Sequence, residues 1–176
     1  IGIDPNPMLK NELRANQKIV KSESDTFFAE VDDGIEILFD DPIELAFIDG
    51  LHHYDQALKD FINIERYSDK DTIVLLHDIY PVVPETATRE WNTFYWAGDT
   101  WKIMHIINKY RPDLTIRTIP TFPTGLGFVN NLDATNTVLQ DNFASIVSEF
   151  AELEYNLDNP VNLVANDVED IIKCLT

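Results

Sequence analysis

Cysteine is nearly absent from this sequence: Cys174 is the only one among 176 residues, which excludes a disulfide within the chain. Basic residues are also scarce, with 13 Lys and Arg against 31 Asp and Glu and a formal net charge of −18. A field of that sign repels phosphate backbones and anionic membrane surfaces. No apolar run approaches the roughly 20 residues that span a bilayer, and no signal-peptide pattern is present. We therefore expect a soluble, cytoplasmic protein that binds neither nucleic acid nor a membrane.

The composition is that of a globular protein with one sizeable core, since 44% of the residues are apolar and 25% are charged. Strand-like and helix-like segments alternate along the chain, which predicts an α/β fold with a mostly parallel sheet and helices on both faces. Strands are predicted at 1–3, 17–20, 43–48, 72–76 and 114–119, and after the turn at 124–125. Helices are predicted at 8–16, from 24 onwards, and at 54–67, 134–153 and 167–175. The segment at 85–110 is predicted to be mainly helical, with Gly98 as a candidate break.

Two of the predicted strands end abruptly in acidic and histidine side chains. The first leads into Asp49 and His52, and the second leads into His77 and Asp78. The carboxyl ends of parallel strands are where open α/β sheets bind their ligands. Two carboxylates on neighbouring strand ends repel each other unless a proton or a cation lies between them, and carboxylate oxygens suit magnesium, calcium or manganese. These strand ends therefore predict a chemically active site.

The individual residues of this site admit more than one interpretation. His52 follows Asp49 by three residues and can reach the same site, where the ordinary pKa of histidine suits a general base. Asp49 could instead be a turn residue before a glycine, and His52 could instead cap the next helix. We favour the functional interpretation for both residues. For His77, the sequence leaves open a second metal ligand and a residue that orients Asp78.

Two further features have both a functional and a structural interpretation. Asp4 ends the first strand, where nucleotide-binding α/β folds keep an acid for a ribose hydroxyl, but an Asp before proline also starts turns. Trp91, Trp96 and Trp101 follow the second acidic strand end. They could pack as the aromatic face of a helix or wall a substrate pocket, and the sequence alone does not decide between the two.

Several segments together resemble class I S-adenosylmethionine-dependent methyltransferases, in the branch of macrocin-type sugar O-methyltransferases. They are Asp4, Phe-Ile-Asp-Gly-Leu-His-His-Tyr at 47–54, Leu-Leu-His-Asp-Ile-Tyr-Pro at 75–81, and the segments at 98–102 and 124–129. The resemblance covers about residues 1–130. It implies a Rossmann-like three-layer sandwich whose mostly parallel sheet has an antiparallel last strand. We expect a partial methyltransferase core at 1–133 and a C-terminal helical extension at 134–176.

The resemblance also implies a cofactor site for S-adenosylmethionine. In that family the acid that matches Asp4 binds the ribose hydroxyls, and the segment that includes Ser24 and Asp25 lies beside the adenine. Asp49 belongs to the same site. The first strand and the glycine-rich loop that hold the methionine end should precede Ile1, where this sequence begins within a strand-like run. We therefore expect the N-terminus to be cut and these two elements to be missing from the sequence.

The acceptor half of the site follows from the same resemblance. Asp49 and Asp78 match the residues that hold Mg²⁺ or another divalent cation, with His77 as a further candidate ligand, and His52 matches the general base. Metal-dependent relatives usually carry an acid where this chain has His77. Since an imidazole suits softer metals than magnesium, this departure favours such a metal or none.

Three functions are compatible with these observations. The favoured one is an O-methyltransferase that acts on a small hydroxylated or sugar-like acceptor, which could be a small molecule or a glycan, and homo-oligomerisation is left open. The second is a non-catalytic methyltransferase-like interaction module. The third is a metal-dependent hydrolase that uses Asp49, His52, His77 and Asp78.

Overall fold

The computed structural model describes residues 1–33, 41–167 and 169. By its contacts the chain separates into two compact units, Ile1–Asp41 and Pro42–Thr176. The division at residue 133 that the sequence suggested stays a prediction. Among the described residues, no helix has both the length and the apolar character needed to cross a membrane.

The first unit holds two short parallel strands and one helix. They are β1 (Gly2–Ile3), β2 (Ile19–Val20) and α1 (Ser24–Asp32). The helix buries Phe27 and Phe28, as its sequence predicted. The predicted helix at 8–16 is wrong, because this segment is irregular and leaves Met8 88% exposed. A helix this short is stable only when it packs an apolar face against the protein, and this segment does not do so.

The second unit is built on a four-stranded sheet. Its strands are β3 (Leu45–Ile48), β4 (Ile73–His77), β5 (Thr115–Ile119) and β6 (Leu126–Asn130), in the order β3-β4-β6-β5. β3 and β4 are parallel, and β6 is antiparallel to both of its neighbours, β4 and β5. Three strands of this sheet therefore run in one direction and β6 runs against them. The arrangement confirms the predicted Rossmann-like α/β fold with an antiparallel last strand.

Helices α2 (Tyr54–Glu65) and α3 (Lys102–Tyr110) supply much of the core of this unit. The apolar spacing that predicted α2 is confirmed, since Ala57, Leu58 and Phe61 are all buried. In α3 the fully buried side chains are Ile103, Ile106 and Ile107. Burial of such aliphatic side chains is the main favourable contribution to folding.

The helix predicted at 85–110, with Gly98 as its candidate break, is confirmed only as α3 and is wrong for residues 85–101. Pro84–Thr86 form one 3-10 turn, and the chain is then irregular until α3 begins. Gly98 has φ +65° in this stretch, a conformation that a helix does not contain. Trp91 and Phe94 are 79% and 91% exposed, so the aromatic side chains form no continuous buried face that would stabilise a helix.

The predicted helix at 134–153 is divided into α4 (Val138–Asp141) and α5 (Phe143–Phe150). Asn142 lies between them with non-helical backbone angles, and its side-chain amide donates to the Val138 carbonyl oxygen at 2.8 Å. Further along, the backbone around Asn162 bonds to Thr118 and covers the edge of β5. Most of the helix predicted at 167–175, with Cys174, lies outside the described residues.

A buried ion pair connects α2 to the segment after α3. The Arg111 guanidinium is 1% exposed and donates to both carboxylate oxygens of Glu65, at 2.7 and 2.6 Å. The same guanidinium donates to Asp113, with its Nη2 2.7 Å from Oδ2. The buried Arg111 cation compensates the buried Glu65 carboxylate, while the second carboxylate, Asp113, is half exposed to solvent.

Candidate functional site

The ends of β3 and β4 lie side by side and place two titratable residues together. Ile48 is opposite Leu76 in the parallel register, so the residues that follow them, Asp49 and His77, are neighbours. His77 Nδ1 lies 3.3 Å from Asp49 Oδ1. The same nitrogen lies 3.1 Å from Oδ2 of Asp78, the next residue along the chain. Strand pairing alone therefore brings both carboxylates to one imidazole.

His52 completes the group from the loop between β3 and α2. Its Nε2 lies 3.0 Å from Asp78 Oδ2 and 3.3 Å from Asp49 Oδ1. We call Asp49, His52, His77 and Asp78 the acid–histidine cluster. Asp78 is buried, and neither its Oδ2 nor His77 Nδ1 has a partner with hydrogen-bond alignment. The four groups thus converge on a common point without forming an ordinary hydrogen-bond network.

Two members of the acid–histidine cluster have unusual backbone conformations. His52 has φ 59° and Asp78 has φ 61°, both in the left-handed region that non-glycine residues seldom adopt. Each such residue costs of the order of 1–3 kcal/mol, so the surrounding structure must hold it in place. Strain of this kind concentrates at functional sites, which supports the functional interpretation of both residues.

The orientation of the His52 ring is fixed from its other side. Its Nδ1 lies 3.2 Å from the carbonyl oxygen of Trp96, and the two rings stack with centroids 5.2 Å apart. A carbonyl oxygen can only accept, so Nδ1 carries the hydrogen. In the neutral ring, Nε2 therefore presents a lone pair to the carboxylates. It is in a position to accept a proton or to bind a cation.

The electrostatics of the cluster favour a protonated His52. The carboxylates of Asp49 and Asp78, 3.3 and 3.0 Å from Nε2, outweigh the effect of burial and raise the pKa of His52 to about 10. Burial by itself would raise the pKa of Asp78, but the His52 side chain and other nearby groups outweigh it and keep that pKa below its usual value. Without another cation, His52 and the carboxylates form an ion pair near neutral pH.

The segment at 96–99 holds the His52 backbone, a contact that the sequence did not reveal. The Asp99 N–H donates to the His52 carbonyl oxygen at 3.1 Å, and Asp99 Oδ1 accepts from the Tyr54 N–H at 3.0 Å. A Cβ on Gly98 would lie 1.8 Å from that same His52 oxygen. The only available signal was the motif at 98–102, which gave no specific role. Asp99 therefore caps the N-terminus of α2 with its side chain and positions the His52 backbone with its N–H.

Arg89 ties this segment to the start of α2. Its Nη1 lies 2.9 Å from Asp55 Oδ1 and 3.2 Å from Asp99 Oδ2, and its Nη2 donates to His53 Nδ1 at 3.3 Å. His53 is the N-cap residue of α2. These contacts lie next to His52 in the chain and support the loop that carries it.

The donor set of the acid–histidine cluster fits a divalent cation. One carboxylate oxygen each from Asp49 and Asp78 and one ring nitrogen of His52 lie within 4.8 Å of one another. His77 Nδ1 is next to the same two oxygens. Asp49, His52 and His77 also line one pocket. Mixed oxygen and nitrogen donors suit manganese, iron or zinc better than magnesium.

The comparison with known families agrees with this geometry. Residues 1–79 match the family model of a methyltransferase domain. The match ends one residue beyond Asp78, so it contains the whole acid–histidine cluster and the predicted cofactor residues. It supports a methyltransferase domain in this chain, and the assignment to the macrocin-type branch stays a prediction. No curated protein matches the chain.

The predicted cofactor residues Asp4, Ser24 and Asp25 lie in the first compact unit. Asp4 directly follows β1, and its N–H donates to the Val20 carbonyl oxygen of β2 at 3.1 Å. One carboxylate oxygen of Asp4 accepts from the Asn6 N–H at 2.7 Å, as in the turn that was the structural alternative. Ser24 and Asp25 form the first turn of α1. Their roles at the cofactor stay predictions.

The tryptophans that follow β4 differ in their burial and in their contacts. Trp101 is buried in the core, as the structural interpretation expected. Trp96 stacks against His52, as a pocket wall would, and Trp91 stacks on Trp96 while remaining largely exposed. His105 packs edge-on against Trp101, and burial lowers its pKa. Trp101 therefore packs as the structural interpretation expected, and a role of Trp91 or Trp96 in a substrate pocket stays a prediction.

Proposed function

We propose that this chain is an S-adenosylmethionine-dependent O-methyltransferase domain that acts on a small hydroxylated or sugar-like acceptor. The observation that carries the proposal is the convergence of two carboxylates and two imidazoles on one point. Transfer to a hydroxyl requires removal of its proton and a fixed position for its oxygen. A cation on the carboxylates would hold the hydroxyl oxygens, and His52 is the candidate base.

The roles of cation and base depend on each other. A base must be neutral, whereas the two carboxylates alone raise the pKa of His52 to about 10. A divalent cation held by Asp49, Asp78 and His77 would offset their negative charge and favour neutral His52. The Nδ1 hydrogen, which points to the Trp96 carbonyl oxygen, would then leave the Nε2 lone pair free to accept the acceptor's proton.

The cofactor half of the proposal rests on residues of the first unit. Asp4 follows a parallel strand at the end where such sheets bind nucleotides, and would hold the ribose hydroxyls. Ser24 and Asp25, in the first turn of α1, would lie beside the adenine. S-adenosylmethionine, when bound, supplies a methyl group activated by its sulfonium.

Binding measured by calorimetry tests the proposal. The purified protein should bind S-adenosylmethionine and should bind Mn²⁺ more tightly than Mg²⁺. Asp78→Asn should weaken Mn²⁺ binding at least about tenfold, which corresponds to about 1.4 kcal/mol. The exposed carboxylate of Asp71 offers a matched control, and Asp71→Asn should leave Mn²⁺ affinity unchanged. Because the elements that hold the methionine end are expected to precede Ile1, the decisive measurement uses the full-length protein. Its failure to bind the cofactor with or without Mn²⁺ would contradict the methyltransferase proposal.

A metal-dependent hydrolase is the second candidate, because the cluster offers two imidazoles as well as two carboxylates. Such an enzyme needs a tightly held metal with an open position for water. Zinc that persists through purification and dialysis would favour it over methyl transfer. The non-catalytic alternative has less support, since an inactive site has no need to maintain strained backbone at both His52 and Asp78.

A further inference from the structure

Four aromatic residues between β4 and β6 are exposed: Trp91 is 79% exposed, Phe94 91%, Tyr95 53% and Phe122 86%. Phe94 packs edge-on against Tyr95, and Tyr95 packs edge-on against Phe122. Trp91 stacks on Trp96, which contacts His52. We call the four exposed residues the aromatic platform. Of these, Trp91 is the one that ring stacking links to the acid–histidine cluster, and exposed apolar surface next to a site is a candidate for ligand contact.

A continuous stack of rings connects the aromatic platform to the proposed base. Trp91 stacks on Trp96 with centroids 6.2 Å apart and ring planes 23° apart, and Trp96 stacks on His52 at 5.2 Å and 29°. The indole N–H groups are used internally, since Trp91 donates to the Thr93 carbonyl oxygen and Trp96 to that of Thr88. What Trp91 offers to a ligand is therefore its ring face.

The position of this stack indicates the size of the ligand. Trp96 lies between Trp91 and His52, so a ring on the outer face of Trp91 lies beyond the reach of His52 Nε2. One ring cannot occupy both places. A ligand that reacts at the acid–histidine cluster and also contacts Trp91 must therefore contain several linked rings.

The aromatic rings and the net charge of the protein further restrict the chemical class of the ligand. A sugar ring has an apolar face of C–H groups that packs on an aromatic ring, while its hydroxyls remain hydrated or bind the polar site. A net charge of −18 opposes acidic polysaccharides and nucleic acids. A neutral chain of sugar rings meets both conditions.

We propose that the exposed ring face of Trp91 forms an additional subsite for a neutral oligosaccharide acceptor. The reacting sugar lies at the acid–histidine cluster, and a neighbouring sugar of the same chain stacks on Trp91. This inference rests on the proposed function and extends it: the acceptor is an oligosaccharide rather than a single small ring.

The test compares oligosaccharides with their single sugars. The probes are linear neutral tetrasaccharides of β-1,4-glucose, α-1,4-glucose, β-1,4-N-acetylglucosamine and β-1,4-mannose, each with its monosaccharide, measured by calorimetry without cofactor. We expect at least one tetrasaccharide to bind about tenfold more tightly than its monosaccharide, the gain expected from an aromatic contact of about 1.4 kcal/mol. Trp91→Ala should remove this gain, and Trp91→Phe should keep most of it. Val138→Ala, which alters an exposed apolar residue of α4, should have no effect.

The outcomes separate this inference from the proposed function, because oligosaccharide binding requires neither cofactor nor metal. If the protein binds S-adenosylmethionine but none of the tetrasaccharides, the aromatic subsite is wrong and the methyltransferase proposal stands. Equal tetrasaccharide affinity in Trp91→Ala and the unaltered protein would also overturn the subsite. The subsite would also be overturned if the protein dimerises in sedimentation experiments and Trp91→Ala abolishes the dimer. In that case the aromatic platform would bind a second copy of the chain.

Discussion

His52 and Trp96 are joined by two contacts. His52 Nδ1 lies 3.2 Å from the Trp96 carbonyl oxygen, and the two rings stack 5.2 Å apart. The first contact sets which ring nitrogen carries the hydrogen, and the second sets the plane of the ring. Together they direct Nε2 to Asp49 and Asp78, although Trp96 follows His52 by 44 residues.

The first prediction concerns the titration of His52. In protein treated with a chelator, ring resonances followed by NMR should give His52 a pKa near 10, because Asp49 and Asp78 stabilise its charged form. Zn²⁺, which is diamagnetic, should lower this pKa by at least about two units if it binds the same carboxylates. An unchanged titration with saturating Zn²⁺ would show that the cation binds elsewhere.

The same pKa predicts the effect of pH on stability. The folded pKa of His52 is raised from 6.5 to about 10, so its stabilising contribution is complete below about pH 6.5 and is lost as the pH rises through 10. Denaturant unfolding of the chelated protein should therefore show stability that falls between these values. His52→Gln should flatten this decline, whereas His53→Gln should retain it. A decline that persists in full in His52→Gln would contradict the assignment to this residue.

The third prediction concerns the close approach of Gly98 to His52. Gly98→Ala should destabilise the protein by about 2–4 kcal/mol, because its Cβ would overlap the His52 carbonyl oxygen and its φ is positive. Gly50→Ala is a matched control. Its Cβ would lie 3.7 Å from the nearest atom, Asp60 Oδ2, and should cost less than about 1 kcal/mol. Similar unfolding free energies in the two variants would contradict the role of Gly98.

Much of the acid–histidine cluster could be predicted from sequence because its geometry is local. Asp49, His77 and Asp78 directly follow or end two neighbouring strands, and parallel neighbours bring such residues together. The helix at 54–67 could also be predicted from local sequence, since α2 buries the apolar face that the spacing defines. Periodicity describes regular elements well.

The contribution of 87–101 could not be predicted in this way. Its contacts with His52 are made by backbone groups of Trp96 and Asp99, and a carbonyl or an N–H is the same in every residue type. The segment also contains aromatic residues at spacings that a helix would tolerate, which led to the wrong prediction of a helix over 85–101. Gly98 was the candidate break in this prediction, and its positive φ agrees with a break there.

The fourth prediction concerns Asp99. Asp99→Ala removes the acceptor for the first N–H of α2 and one partner of Arg89, so it should destabilise the protein by about 1–2 kcal/mol. It should also release the loop that carries His52, so Mn²⁺ affinity should fall as well. Asp99→Asn keeps an oxygen that can accept from the Tyr54 N–H. It should therefore retain more stability and more Mn²⁺ affinity than Asp99→Ala does. Loss of stability with unchanged Mn²⁺ affinity would show that Asp99 acts only as a cap.

The last prediction concerns the buried pair of Arg111 and Glu65. Arg111→Met leaves a buried carboxylate without its cation, which should cost about 3–5 kcal/mol in urea unfolding. The double variant with Glu65→Leu should recover most of this loss, because it removes the uncompensated charge as well as the pair. Lys109→Met breaks the exposed pair with Glu149 and should have little measurable effect. If the double variant is less stable than Arg111→Met, the pair contributes more than charge compensation, and the packing of Glu65 against the rest of the unit is the cause to examine.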